Sequence, residues 1–300
     1  MSTDRPTDPS DALTVIAGVR RRCVEAGEQD PLDEAASIRL KNHGLEGSRL
    51  WVAGADGFAL AHAGGVDLVV APDARAQGLG GILAADAFDG DAAVTAWSHG
   101  DHPAAARLAA RHGLDRAREL WVMRRDASAP LPEVATPDGV EVRSYRPEDA
   151  DEVVRVNAAA FAHHPEQGAM DAAELAERMA EDWFDPAGLL VADGGTHGDG
   201  LLGFHWTKRH SAGLGEVYVV GIDPAAQGRG LGRVLTVAGL AHLAGAGVEE
   251  VLLYVESDNA AGRRLYEGLG FTHAAADTHV QYRRQDRRED RAGQVEVETA

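Results

Sequence analysis

The chain has 300 residues, with 29 Lys and Arg against 48 Asp and Glu, a formal net charge of −19, and 44% hydrophobic residues. The length suits two ordinary domains, and the apolar content supports folded cores rather than a disordered chain. So acidic a chain lacks the basic surface that nucleic acid or an anionic membrane needs, which leaves a small molecule as the expected partner.

The first residues, MSTDRPTDPSDALTV, hold no apolar segment of signal-peptide type, and no apolar run long enough to cross a membrane follows anywhere. A cytoplasmic monomer is expected. The single cysteine, Cys23 in RRRCVEAG, excludes an internal disulfide and a cysteine zinc site, and reads as a passive thiol. The segment DLVV (67–70) is a strand, followed by the glycine-rich turn Ala71-Pro-Asp-Ala-Arg-Ala-Gln-Gly-Leu-Gly80. A helical segment over Ala106–Leu114 and a strand ending in LWVMRR (120–125) complete the first half. Residues 126–139 contain Pro130, Pro132 and Pro137 and read as a linker.

The second half opens with the alternating segment VEVRSYR and a helix of apolar spacing that ends near Phe161. His163 and His164 adjoin, but no third ligand has suitable spacing, so no metal is expected. EVYVVGI (216–222) is a strand, Gln227–Gly232 a glycine loop, 233–247 a helix, 248–256 a strand, and 259–270 a short helix closed by Gly268 and Gly270. The charged stretch 286–300 is expected to be disordered.

An internal repeat links the halves. Pro72, Gly78 and Gly80 correspond to Pro224, Gly230 and Gly232 at a constant offset of 152, and Ala106–Leu114 matches Arg263–Phe271. A period near half the chain length predicts tandem domains, 1–125 and 140–285, each of α/β class with an α+β mixed sheet. Three glycines within Gly228–Gly232, between a strand and a helix, let successive N–H groups face an anion at a helix N-terminus, a geometry suited to pyrophosphate. No Gly-Lys-Ser/Thr follows, and the glycine spacing differs from the dinucleotide fingerprint.

The pattern Gln227-x-x-Gly230-x-Gly232, repeated as Arg75-x-x-Gly78-x-Gly80, resembles the acetyl-CoA signature of the GNAT N-acetyltransferases. The segment from Asn259 through Tyr266 to Phe271 resembles that family's final helix. Over about residues 10–285 the chain is similar to tandem GNAT enzymes of actinobacteria. FAHHPEQG (161–168), WFDPAGL (183–189), LLGFHWTK (201–208), the peptide 213–232 and LLYVESDN (252–259) carry the likeness. The resemblance implies two tandem GNAT domains and acetyl-CoA as cosubstrate. The implied acceptor is the amine of cysteinyl-glucosaminyl-inositol.

It further implies acetyl-CoA contacts at Val220, Gly221, Ile222, Gln227, Gly228, Arg229, Gly230, Leu231, Gly232 and Arg233, then at Asn259, Ala260, Ala261, Gly262, Arg263 and Arg264. In the first half the matching positions are Leu68, Val69, Val70, Ala76, Gln77, Gly78, Leu79, Gly80 and Gly81. For the acceptor they are Glu34, Glu166, Lys208, Glu216 and Tyr254. Glu34 comes from the first half, so the implied acceptor lies between domains.

Acetyl transfer to an amine needs a base and a proton donor for the leaving thiolate. Glu216, at the start of the strand leading to the loop, suits the base, directly or through water; Tyr266 suits the donor. At the matched positions the first half has Gly64 and Ala109, so the second half is expected to be the catalytic one. Two other readings stay open. One is a GNAT enzyme acting on another small amine or a protein N-terminus; the other is a non-catalytic acyl-CoA-binding module.

Overall fold

The computed structural model describes residues 9–28, 30–62, 65–90, 93–163, 167–195 and 200–285. They form two compact units: the chain up to Leu120 with the residues from Ala275 on, and Trp121–Ala274. The first unit contains α1 (Pro9–Glu25), α2 (Glu34–His43), β1 (Arg49–Val52), β2 (Gly57–His62), β3 (Gly65–Val70), α3 (Leu79–Ala87), β4 (Val94–Ser98), α4 (Pro103–Arg111) and the start of β5 (Asp115–Asp126). Asp33 starts α2 by accepting from the Ala36 N–H at 2.7 Å, as an N-cap aspartate does. β1, β2 and β3 form an antiparallel meander, and β3 then runs parallel to β4. Alternate residues of β2 serve opposite faces. Phe58 and Leu60 pack with Ile16, Val19 and Cys23 of α1, while Ala59 packs with Leu83 and Phe88. Cys23 is fully buried, and burial pushes its thiol up, which fits a passive role.

The second unit contains the end of β5, then β6 (Glu141–Ser144), α5 (Ala150–Ala160), α6 (Ala172–Met179), β7 (Leu189–Asp193), β8 (Leu201–Arg209), β9 (Leu214–Ile222), α7 (Leu231–Gly245), β10 (Glu250–Glu256), α8 (Ala260–Glu267) and the start of β11 (Thr272–Arg284). Its strands lie in the order β5-β10-β9-β8-β7-β6. Pairing is antiparallel from β6 to β9 and parallel between β9 and β10, the mixed sheet expected from the sequence. Eight of the nine residues of β8 are buried because both sheet faces are covered. Phe204 and Trp206 pack with Val153 and Val156 of α5. On the other face the His205 ring lies against α7, and its Nδ1 bonds the Leu235 carbonyl at 2.8 Å. Only glycine fits at position 239, where a Cβ would stand 2.0 Å from that ring.

The final strand of each half ends in the other unit. Arg125, near the end of β5, donates to the Leu269 carbonyl at 2.8 Å in the second unit. Arg284, at the end of β11, donates to His112 (3.2 Å), Phe88 (3.1 Å) and Gly90 (2.9 Å) carbonyls in the first. There β11 pairs antiparallel with β4, from Val280 opposite Ser98 to Arg284 opposite Val94. A division by sequence position, with a linker over 126–139, assigns residues 275–285 to the second half; here they complete the first unit. Period-2 patterning locates a strand but does not name its partner. The expected tail, 286–300, lies outside the described residues. Among the described residues no helix is long and apolar enough to cross a membrane.

Candidate active site

The glycine loop of the second unit is built by local rules. Asp223 accepts from Ala225 N–H at 2.9 Å and, with Pro224, starts a single 3-10 turn over Pro224–Ala226. Its other oxygen is held by Arg155 at 2.6 Å. Gly228 and Gly230 then take φ of +79° and +80°, where side chains are strained, although the space around them is open. α7 starts at Leu231, two residues earlier than expected, and no side chain caps it. The N–H groups of its first turn therefore point outward with the positive end of the helix dipole. Arg229 is exposed and Arg233 half-buried beside them. On α8, Arg263 stacks 4.7 Å over Trp121, and Arg264 is exposed. A cavity of about 550 Å³ adjoins the loop, lined by Arg229, Arg155, Glu152 and Asp223 among others.

The strands above the loop separate. β9 pairs with β10 only from Leu214 opposite Glu250 to Val217 opposite Leu253, though both strands continue, to Ile222 and Glu256. On its other side β9 shifts register against β8 between Trp206 and Thr207, leaving Tyr218 as an extra residue. The opening thus presents backbone N–H and C=O groups around Val219–Ile222 that a ligand with amides can pair. An uncapped helix start, flanking arginines and a strand segment left open on its β10 side together fit a pyrophosphate joined to an extended amide chain, as in acetyl-CoA.

Glu216 lies below this opening, 5% exposed, directly across from Lys208 on β8 and Leu252 on β10. Its Oε2 is 2.6 Å from Nε2 of His210, and Oε1 has no hydrogen bond among the described residues. Lys208 is buried, with its ammonium 4.8 Å over the Trp183 ring and 5.3 Å over Tyr218. Trp183, Phe184, Trp206 and Tyr218 pack edge-on or tilted against one another. A second cavity, about 400 Å³, is lined by Trp183, Phe184, Asp182, Asp185, Arg209 and Ser211. Tyr254 stands on β10 just past its last pair with β9 and is partly exposed.

Tyr266 packs in the cluster of Val217, Leu253 and Phe271, its ring 5.9 Å from that of Phe271. Burial pushes its phenol up to about 12, so the group keeps its proton. Asn259 lies just outside the helix, where a helix over 259–270 was expected to include it. It is the N-cap of α8, its Oδ1 accepting from Gly262 N–H at 2.8 Å, and α8 proper begins at Ala260. The left-handed residue after this helix is Gly270, at φ +88°; Gly268 is right-handed.

The first unit repeats the loop without its charges. A 3-10 turn covers Pro72–Ala74, Ala76 takes φ +61° and Gly78 +87°, and α3 starts at Leu79. Gln77, Gly81 and Ala106 stand where the second unit has Arg229, Arg233 and Arg263. Arg75 is turned away into a two-pronged bond with Glu28 at 2.6 and 2.7 Å, and to the Val70 carbonyl. β3 meets β4 only at Val66 opposite Ala96, so Leu68–Val70 also lie past the paired segment. Ala109, matched to Tyr266, is buried. Glu34 opens α2 in this unit, half-buried. Glu166, His164 and Gly64 lie outside the described residues. Among those described, no three His, Cys, Asp or Glu side chains gather as a metal site.

Sequence reasoning missed His210, Trp183 and Tyr218. The hairpin signal Ser211-Ala-Gly-Leu-Gly215 would have placed His210 near Glu216 had the register been drawn.

The chain resembles known proteins at several levels. Residues 157–271 match the acetyltransferase (GNAT) family. A mycothiol acetyltransferase of a Nocardioides species is 59% identical over 92% of this chain and 98% of its own. That of Actinosynnema mirum is 50% identical over 88% of this chain and 94% of its own. Among solved structures, a tandem GNAT protein from the clavulanic acid biosynthesis pathway is similar at a TM-score of 0.67 and 18% identity, covering 95% of this chain and 98% of that one. A GCN5-related N-acetyltransferase from Sphaerobacter thermophilus has a TM-score of 0.66 at 24% identity, covering 94% of each chain.

Proposed function

Because the chain belongs to the mycothiol acetyltransferases of the GNAT family, we propose that it acetylates the α-amine of the cysteinyl group in cysteinyl-glucosaminyl-inositol, the last step of mycothiol formation. The protein is an N-acetyltransferase. The observation that carries the residue assignment is Glu216: a buried carboxylate, with one oxygen not hydrogen-bonded among the described residues, on the strand that opens toward an uncapped glycine loop.

Acetyl-CoA supplies the acetyl thioester. Val220–Ile222 and Gln227–Arg233 hold it through backbone groups and the two loop arginines, with Asn259–Arg264 alongside. The amine nitrogen forms a bond to the acetyl carbon and the carbon–sulfur bond breaks. Oε1 of Glu216 takes the amine proton, directly or through one water, and the Tyr266 hydroxyl gives one to the departing thiolate. An α-amine has a pKa near ~8, so a carboxylate base faces only part of the substrate in its protonated form. Lys208, Glu216 and Tyr254, with Glu34 and Glu166, recognise the amine and the polyol oxygens. Leu68–Val70 and Ala76–Gly81 of the first unit take a second acetyl-CoA, more weakly for want of the two loop arginines, and without turnover. The reading is of a cytoplasmic monomer, which light scattering on the purified protein checks.

Purified protein, acetyl-CoA and cysteinyl-glucosaminyl-inositol should release CoA and give the N-acetyl product. Turnover with an aminoglycoside or a peptide but none with this thiol would overturn the acceptor. Glu216→Gln should lose activity most at the acid end, where free amine is scarce; an unchanged pH profile would remove it as base.

A further inference from the structure

We propose that His210 is the positioning residue of the transfer site: its Nε2–H holds Oε2 of Glu216 and so presents Oε1 to the amine. The proposal deepens the reading of Glu216 as base and rests on it. The register sets the pair. Lys208 lies opposite Glu216 and Arg209 opposite Gly215, and the His210 N–H continues the ladder to the Leu214 carbonyl at 2.9 Å. His210 is therefore the diagonal neighbour of Glu216 on the same sheet face, within reach of two long side chains. The observed Nε2–Oε2 distance is 2.6 Å, with the histidine side chain 33% exposed and the carboxylate 6%.

The turn that follows His210 is fixed by two sets of hydrogen bonds. Ser211 Oγ accepts from the N–H groups of Gly213 and Leu214 at 3.3 and 3.1 Å. The Gly213 carbonyl accepts from Glu249 and Glu250 at 2.8 and 3.0 Å, tying the turn to β10. A carboxylate in this contact only accepts, so Nε2 carries the proton. The charged groups next to the pair are Lys208 across the ladder, Arg209 beside His210 in the chain, and Glu249, whose carboxylate stands 3.8 Å from the Cβ position of Gly213. Of these, Lys208 directs its ammonium over Trp183 and Tyr218. Among the described residues the hydrogen bond that orients Glu216 therefore comes from His210. A base held by a third group is the arrangement that keeps an active-site proton acceptor in productive geometry.

The test is a double-mutant cycle in steady-state kinetics, with folding checked by thermal melting. His210→Ala should lower kcat by about ten- to a hundredfold, less than the full contribution of a general base, and leave KM for acetyl-CoA unchanged. His210→Gln, which keeps an N–H donor, should recover most of that loss. In a Glu216→Gln background, His210→Ala should cost nothing further, because the group it orients is gone. Full kcat in His210→Ala, no recovery in His210→Gln, or an additive loss in the double variant would each overturn the proposal while Glu216→Gln remains impaired. Full activity in Glu216→Gln alone would instead overturn the base itself.

Discussion

Tyr266, the proposed proton donor, shows what burial does to a phenol. With its phenol pushed up to about 12, it stays protonated through any ordinary assay range, so it contributes no alkaline limb there. Tyr266→Phe keeps the ring on Phe271 and removes only the hydroxyl. It should lower kcat by roughly ten- to a hundredfold, with KM for acetyl-CoA and the melting temperature unchanged. Unimpaired turnover would exclude the phenol as donor. Glu216 and Tyr266 were legible in the sequence because the first copy has Gly64 and Ala109 in their places. His210 was not, since it comes near Glu216 only through the register of a hairpin, and spacing along the chain does not report register. Trp183 is further removed still: it reaches Lys208 from outside the strand pair.

At the scale of elements, the two glycine loops share a backbone and differ in chemistry. Each has a 3-10 turn, two positive-φ residues and a helix start with no side-chain cap. The proline and glycines that dictate this are in the sequence, so the loops and their repeat were legible. Ala76 at φ +61° shows that the first loop keeps the shape even where the second uses Gly228. The arginines were legible as letters, but the departure of Arg75 toward Glu28 was not, because that pair joins residues 47 apart. Arg229→Ala with Arg233→Ala should raise KM for acetyl-CoA about tenfold, some 1.4 kcal/mol of binding, with kcat little changed. Gln77→Ala in the first loop should leave turnover kinetics as they are. Steady-state titration of acetyl-CoA checks both, and an unaltered KM in the double arginine variant would move the phosphate site elsewhere. The parting of β9 from β10 past Val217 was hidden, because both strands stay apolar beyond the point where they separate.

At the scale of the whole molecule, the two halves of the repeat exchange their final strand ends. Arg125 of the first half closes carbonyls in the second unit, and Arg284 of the second half does so in the first. Chains 1–139 and 140–300 made separately should each lack cooperative melting, since each loses a strand end and leaves buried carbonyls unbonded. Mixed or co-expressed, the two should recover a folded, active species. A cooperative transition in either fragment alone would show that the exchanged strands are dispensable. The exchange also sets an order in time. Synthesis runs from the N-terminus, yet Ser98 must wait for Val280 before β4 gains this neighbour. The half made first is finished last, and the nascent chain carries an open strand edge until residues 280–284 emerge.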